Sequence, residues 1–115
     1  METKIYQRLA DIVPVITAHG EGQKFVFLSK EDSETALTQF AYGKLMPGEI
    51  IAEHFHATME ECFFFIKGIG NYTISGIAYP LGPGTFIRIP TGTPHQLEAA
   101  GNEALEFVYF GVATP

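Results

Sequence analysis

Short apolar segments separated by turn residues make up most of this sequence, and they constrain its fold more than any other feature. Within the segments, apolar side chains either alternate with polar ones or run on continuously, and both patterns are typical of β-strands. Glycine, proline and asparagine stand between the segments, as in KGIGN, PLGPG and PTGTP, and these residues favour tight turns. The pattern predicts strands at Phe25–Leu28, Leu37–Leu45, Ile50–His56, Cys62–Lys67, Asn71–Ser75, Ile77–Tyr79, Thr85–Ile89, His95–Ala99 and Leu105–Phe110.

Many short strands at regular spacing predict an all-β sandwich or small barrel. A tight hairpin is expected around Ser75 and Gly76, between the segments NYTIS and GIAYP. The only segment with a helical pattern is Thr3–Asp11. No linker or repeat divides the 115 residues, so we expect one domain that covers residues 1–115.

The charge of the chain argues against two classes of partner. The formal net charge is −6, and the seven basic residues are scattered singly. Nucleic acid requires clustered lysine and arginine, and a membrane surface requires a basic amphipathic segment. The single cysteine, Cys62, cannot form an intramolecular disulfide, and the N-terminal segment lacks the pattern of a signal peptide. We therefore expect a cytoplasmic protein with no nucleic-acid or membrane partner.

Two of the four histidines, His54 and His56, are separated by a single residue. Because side chains alternate between the faces of a strand, both imidazoles share a face and lie close enough to bind one ion. A histidine pair alone is more often a solvated or hydrogen-bonded surface pair. Here a carboxylate from Glu60 or Glu61 follows after a predicted turn, where the next antiparallel strand begins. Imidazole and carboxylate together suit divalent first-row metals such as Mn, Fe, Ni or Zn.

The spacing of these residues, together with a second cluster around His95, resembles the two motifs of the cupin family. The matching residues are Gly48, His54, His56, Glu61 and Gly68 for the first motif, over residues 48–68, and Gly84, Pro90, Gly92 and His95 for the second, within residues 84–99. Ala99 departs from the pattern, because that position is often asparagine. The asparagine is not a metal ligand, so this departure does not affect the candidate metal site.

The resemblance implies a double-stranded β-helix, or jelly-roll barrel. It also implies that His54, His56, Glu61 and His95 bind one divalent transition metal (Zn, Mn, Fe or Ni) inside the barrel. Glu61 is preferred to Glu60 because it has the motif's spacing to the closing glycine. Glu60 would then face outward as a solvated charge.

Strand alternation predicts which other side chains face the metal ligands. The residues expected to line a small and mainly apolar pocket are Ile50, Ala52, Phe63 and Phe65. The intervening residues Cys62, Phe64 and Ile66 are expected to point outward. An apolar outer face needs a cover, and the aromatic C-terminal segment LEFVYF adds to it. A homodimer is therefore predicted, and the resemblance favours the same state.

Other conspicuous residues have ordinary structural interpretations. His19 lies in the loop TAHGEG and is not expected to bind metal or to take part in catalysis. The glycines of GIG and GPG fit turns, since no helix follows them to bind phosphate. Arg88 fits either a surface position or a pocket cation for an anionic substrate.

Two classes of function remain open at this stage. In the first, the chain is a metal-dependent enzyme that acts on a small oxygen-donor molecule and is of the dioxygenase, decarboxylase or sugar-isomerase type. In the second, the same pocket binds a small ligand without turnover, as a sensor or carrier. A third interpretation treats the histidines as relics without a metal. An acid or base beside the metal would favour an enzyme, and the candidates, which the sequence does not rank, are Glu60, Tyr42, Tyr72 and Tyr109.

Overall fold

Residues 4–115 are described in the computed structural model, where ten strands form two antiparallel sheets packed face to face. The strands are β1 (Val15–Ile16), β2 (Gln23–Ser29), β3 (Leu37–Leu45), β4 (Ile50–His54), β5 (Met59–Lys67), β6 (Ile69–Ile74), β7 (Ile77–Leu81), β8 (Phe86–Ile89), β9 (His95–Ala100) and β10 (Leu105–Ala113). One sheet has the order β1-β2-β3-β10-β5-β8 and the other β4-β9-β6-β7. This arrangement is the predicted all-β jelly roll. No helix among the described residues is long and apolar enough to cross a membrane.

All nine predicted strands are present, and the short β1 was missed. The hairpin between β6 and β7 is also present, with positive φ at both Ser75 (49°) and Gly76 (81°), as a type I′ turn requires. The predicted helix at Thr3–Asp11 is wrong for the described residues. Only Leu9–Asp11 forms a short 3₁₀ turn, and Thr3 itself lies outside the described residues. The segment buries no side chain, so no packing compensates for the cost of starting a helix.

The inner faces of the two sheets form one hydrophobic core. On β5, Phe63 and Phe65 are buried, whereas Phe64 and Ile66 are exposed, so the alternation predicted for this strand is confirmed. Phe63 contacts aromatic rings from both sheets. Its ring centroid lies 5.2 Å from that of Tyr72 on β6 and 5.1 Å from that of Tyr109 on β10. The core therefore extends directly to the side chains around Glu61.

Gly68 forms the corner where the chain leaves one sheet and enters the other. It is the only residue between β5 and β6, which belong to different sheets. Its φ of +83° lies in the left-handed region, and a Cβ there would overlap the carbonyl oxygen of Ala104. Only glycine satisfies both conditions, which gives a physical reason for a glycine at the end of the first motif.

Candidate metal centre

Three imidazoles and one carboxylate meet between the two sheets. His54 at the end of β4 lies directly opposite His95 at the start of β9, and His56 follows in the loop to β5. One ring nitrogen from each of these histidines lies within 4.8 Å of the other two. Glu61 on β5 places Oε1 3.2 Å from Nε2 of His56 and 3.7 Å from Nε2 of His95. The structure thus brings all four candidate ligands together.

A β-bulge in β4 sets the orientation of His54. Ile51 pairs with Leu97 and His54 pairs with His95, so three steps along β4 match two along β9. The extra residue breaks the strict alternation of the strand. As a result Ile51 faces the interior with His54, and the predicted inward positions of Ile50 and Ala52 are wrong.

Backbone carbonyls fix the orientation of two of the imidazole rings. Nδ1 of His54 lies 2.8 Å from the carbonyl oxygen of Ala52, and Nδ1 of His95 lies 2.8 Å from that of Thr93. Because a carbonyl only accepts hydrogen bonds, each Nδ1 carries the proton, and in the neutral ring Nε2 keeps a free lone pair. This is the usual arrangement around metal-binding histidines.

The Nε2 atom of His95 is buried and has no hydrogen-bond partner among residues 4–115. Leaving a buried polar atom unpaired costs about 1–3 kcal/mol, and a metal bond would remove that cost. Three imidazole nitrogens and a carboxylate oxygen are also ligands that divalent first-row metals prefer. The residues present therefore fit the metal that the sequence resemblance implies.

The environment shifts the pKa values of two of these histidines in opposite directions. Burial is the main reason that the pKa of His95 falls below its ordinary value of 6.5, which favours the neutral, ligating form. The hydrogen bond to Glu61 is the main reason that the pKa of His56 rises above 6.5. Metal binding at His56 must then displace a proton that Glu61 helps to hold.

The cluster borders a cavity of about 160 Å³, small beside the roughly 300–1,000 Å³ of pockets for drug-sized ligands. Its walls include His54, His56, Glu61 and the predicted residue Phe63. The predicted residue Phe65 points inward but is completely buried in the core and does not reach the cavity. The cavity therefore suits a compact ligand, and its wall combines aromatic, aliphatic and polar side chains.

Two of the candidate acids or bases face this cavity and two do not. Tyr72 and Tyr109 line it. Burial, with the negative charge of Glu61 as a smaller cause, raises the pKa of both phenols well above 10, so both hydroxyls stay protonated. Glu60 instead forms an ion pair of 3.0 Å with Arg88, and Tyr42 packs edge-on against Phe25.

Three basic residues that line the cavity were not anticipated from the sequence, namely His19, Lys24 and Lys44. The ring of His19 lies 4.1 Å from that of His54, measured between centroids, although it is not part of the three-histidine cluster. Its loop is held over the site because the backbone N–H of Ile50 donates to the side chain of Glu21 at 2.8 Å. The second is Lys24, which lines the cavity. Lys44 also lines the cavity, but it follows Gly43 on β3 and its side chain points to the opposite face of the sheet. Arg88 is a surface residue, so Lys24 takes the position of a pocket cation.

Two antiparallel sheets that enclose a small cavity, with a cluster of three histidines and a glutamate beside it, define a class: jelly-roll proteins with an internal candidate metal site. The family profile of the Cupin domain matches residues 41–111, and the chain belongs to the cupin family.

Three matches, one to a curated protein and two to solved structures, show what the chain is similar to. The Oxalate-binding protein of Thermotoga maritima is 32% identical over 89 residues, which cover 77% of this chain and 74% of that protein. The crystal structure of a predicted oxalate decarboxylase from the same organism has a TM-score of 0.88 and 27% identity, and the match covers 95% of this chain and 99% of that one. The polyketide cyclase RemF from Streptomyces resistomycificus has a TM-score of 0.79 at 18% identity, covers 96% of this chain and 79% of its own, and shows the fold alone.

Proposed function

We propose that His54, His56, Glu61 and His95 bind one divalent transition metal, and that this metal anchors a compact carboxylic acid in the cavity. The observation that carries the proposal is the buried, unpartnered Nε2 of His95 within reach of the other ligands. When bound, the metal supplies a Lewis acid for ligand oxygens. The chain supplies the orientation of the rings and a cavity wall that limits ligand size.

The charge of the site supports an acidic ligand. Neutral imidazoles add no charge, and Glu61 cancels only one of the two positive charges of a divalent metal. The centre therefore keeps a net positive charge in a partly buried cavity, where an anionic oxygen donor is favoured. The likeness to the Oxalate-binding protein of Thermotoga maritima makes oxalate the first ligand to test.

Metal content and ligand binding can be tested separately. Protein purified without an affinity tag should contain about one divalent transition metal per chain. A His54→Ala/His56→Ala double variant should lose it, and His19→Ala should retain it. Oxalate should raise the Tm of the loaded protein and leave that of the chelated protein unchanged. Full metal content in the double variant, or equal stabilisation with and without chelator, would overturn the proposal.

Turnover of the bound acid is a second candidate function, and Tyr109 is the observation that favours it. Its phenol lines the cavity with Glu61, and burial raises its pKa and keeps the hydroxyl protonated. A phenol with a raised pKa is a weak acid, but it can still protonate a strongly basic carbanion of the kind that loss of carbon dioxide leaves. Loaded protein should then convert ¹³C-oxalate to formate and carbon dioxide, as followed by NMR, and Tyr109→Phe should slow conversion more than it weakens binding. Binding without conversion would instead identify a carrier or sensor.

We also propose that a second copy of the chain covers the outer face of the six-stranded sheet. This outer face is a row of apolar side chains aligned across neighbouring strands. Its members are Phe40, Tyr42, Cys62, Phe64, Phe86, Val108 and Phe110, paired in register. Phe64 is 47% exposed and Phe86 is 60% exposed. Continuous exposed apolar surface of this kind is typical of an interface.

A further inference from the structure

Lys24 is a cation inside the cavity that the proposed metal site does not explain. It lies directly opposite Gly43 on β3, and residues opposite one another in an antiparallel pair point to the same face. That face is the interior, because a Cβ on Gly43 would overlap the ring of the core residue Phe107. The side chain of Lys24 is therefore directed between the sheets, and it lines the same cavity as His54, His56 and Glu61.

The positive charge of Lys24 has no carboxylate partner within the described part of the chain. Of the other six basic residues, four form ion pairs within 4.0 Å, namely Lys4, Arg8, Lys67 and Arg88. Lys30 and Lys44 form none among the described residues, but Lys30 is exposed and Lys44, next to Gly43 on β3, points to the opposite face of the sheet. Nζ of Lys24 instead donates to the neutral amide oxygen of Gln39 at 3.3 Å. A half-buried ammonium without a counter-ion is costly, and an anionic ligand would supply that counter-ion.

Gln39 adds a second hydrogen-bond donor beside Lys24. Its oxygen accepts from the ammonium group, which leaves its NH₂ group free to donate, and it also lines the cavity. Lys24 and Gln39 belong to the six-stranded sheet, whereas His54 and His95 belong to the four-stranded sheet. The cavity thus has two polar anchors: the proposed metal centre, to which both sheets contribute ligands, and the pair of Lys24 and Gln39 on the six-stranded sheet.

We infer that Lys24 and Gln39 bind the second acidic group of a short dicarboxylate whose first carboxylate binds the metal. The inference rests on the proposed function and narrows its ligand from carboxylic acids in general to dianions. The charge of the site matches that of a dianion, because a divalent metal bound to Glu61 keeps one positive charge and Lys24 adds a second. A dianion neutralises both, whereas a monocarboxylate leaves Lys24 unpaired.

The test compares dicarboxylates with a monocarboxylate on the metal-loaded protein, by calorimetry at constant ionic strength. The dicarboxylates are oxalate, malonate and succinate, and the monocarboxylate is acetate. Because the three dicarboxylates differ in the distance between their carboxylates, the one that binds most tightly indicates how far apart the two anchors are. Lys24→Met removes the charge and keeps the length of the side chain. It should weaken the best dicarboxylate about ten- to a hundredfold, as expected for a charge-assisted hydrogen bond, and change acetate binding and metal content little.

Two further variants complete the design. Lys24→Arg keeps the charge and should retain most of the dicarboxylate affinity. Lys67→Met removes a charge from an exposed pair with Glu103, away from the cavity, and should leave every affinity unchanged. If Lys24→Met weakens acetate and dicarboxylates equally, or weakens neither, the inference is overturned while metal-dependent binding still stands. If no carboxylate binds the loaded wild-type protein, the proposed function fails, and this inference fails with it.

Discussion

His95 combines nearly complete burial with an unsatisfied ring nitrogen. Its exposed fraction is 1%, its Nδ1 is held by the carbonyl of Thr93, and its ring packs 4.2 Å from that of His54, centroid to centroid. An apolar side chain would fill the same space without an unpaired polar atom. The presence of an imidazole at this position therefore argues for a ligand, and the ordinary interpretation of a hydrogen-bonded core histidine does not account for Nε2.

The pair of His56 and Glu61 makes the stability of the metal-free protein depend on pH with a definite sign. The pKa of His56 is raised above 6.5 in the folded state, chiefly by the hydrogen bond to Glu61. The folded state then holds the proton more tightly than the unfolded state. The resulting stabilisation is fully present below the unfolded-state pKa and is lost as pH rises through the raised pKa.

Thermal unfolding with chelator present measures this effect. The Tm advantage of the wild type over His56→Gln should be larger below pH 6.5 than above it. Metal should reverse the trend, because binding requires neutral imidazoles and so strengthens as pH rises. If the Tm difference between the wild type and His56→Gln, both with chelator, grew as pH rose, the assignment of the proton to the pair of His56 and Glu61 would be contradicted.

At the level of strands, sequence alternation predicted some positions correctly and failed at others for identifiable reasons. On β5 it placed Glu61, Phe63 and Phe65 inward and Phe64 outward, because the strand is regular through this stretch. On β4 the alternation counted back from His54 failed at Ile50 and Ala52, because a bulge between Ile51 and His54 inserts a residue and sequence alternation carries no signal for a bulge. Strand pairing across long sequence separations also brought Lys24 and His19 to the cavity. Neither position follows from local pattern, since each depends on which distant strand or loop lies alongside.

The corner at Gly68 gives a prediction about the connection between the two sheets. Gly68→Ala should destabilise the protein strongly, because alanine must adopt a left-handed φ and also overlap the backbone at Ala104. Gly76→Ala is the matched control, because Gly76 has a similar φ of +81° but open space around it. Gly76→Ala should lower the free energy of unfolding by about 1–2 kcal/mol, which is the cost of the left-handed backbone conformation alone.

Chemical denaturation of the two glycine variants separates the effects. Gly68→Ala should lower the free energy of unfolding by at least about 2 kcal/mol more than Gly76→Ala does, because the added Cβ forces the backbone and the neighbouring side chains to shift. The denaturant dependence should stay that of a two-state transition. Equal losses in the two variants would mean that the close approach to Ala104 relaxes without cost and that the corner needs only the glycine backbone conformation.

On the scale of the whole molecule, the two sheets have different surfaces. Both contribute inward side chains to one core, and the cavity lies between them. The outer face of the six-stranded sheet is rich in aromatic side chains, and a row of apolar residues crosses it in register from Tyr42 through Val108 and Phe64 to Phe86. Residues 4–115 form only these two sheets, and no third layer among them covers this face. A second copy related by two-fold symmetry would bury the same patch on both chains.

The dimer is tested by introducing one charge at the centre of this face. Phe64→Glu should produce monomers, because burying an unpaired carboxylate in an apolar interface costs several kcal/mol. Ile77→Glu is the control, since Ile77 is 57% exposed on the other sheet and its replacement adds the same charge. Light scattering at micromolar concentration should give twice the chain mass for the wild type and Ile77→Glu, and the chain mass for Phe64→Glu. A monomeric wild type, or a Phe64→Glu variant that stays dimeric, would show that this face is not the interface.

Metal content should be the same in all three proteins, because none of the four candidate ligands lies on the outer face.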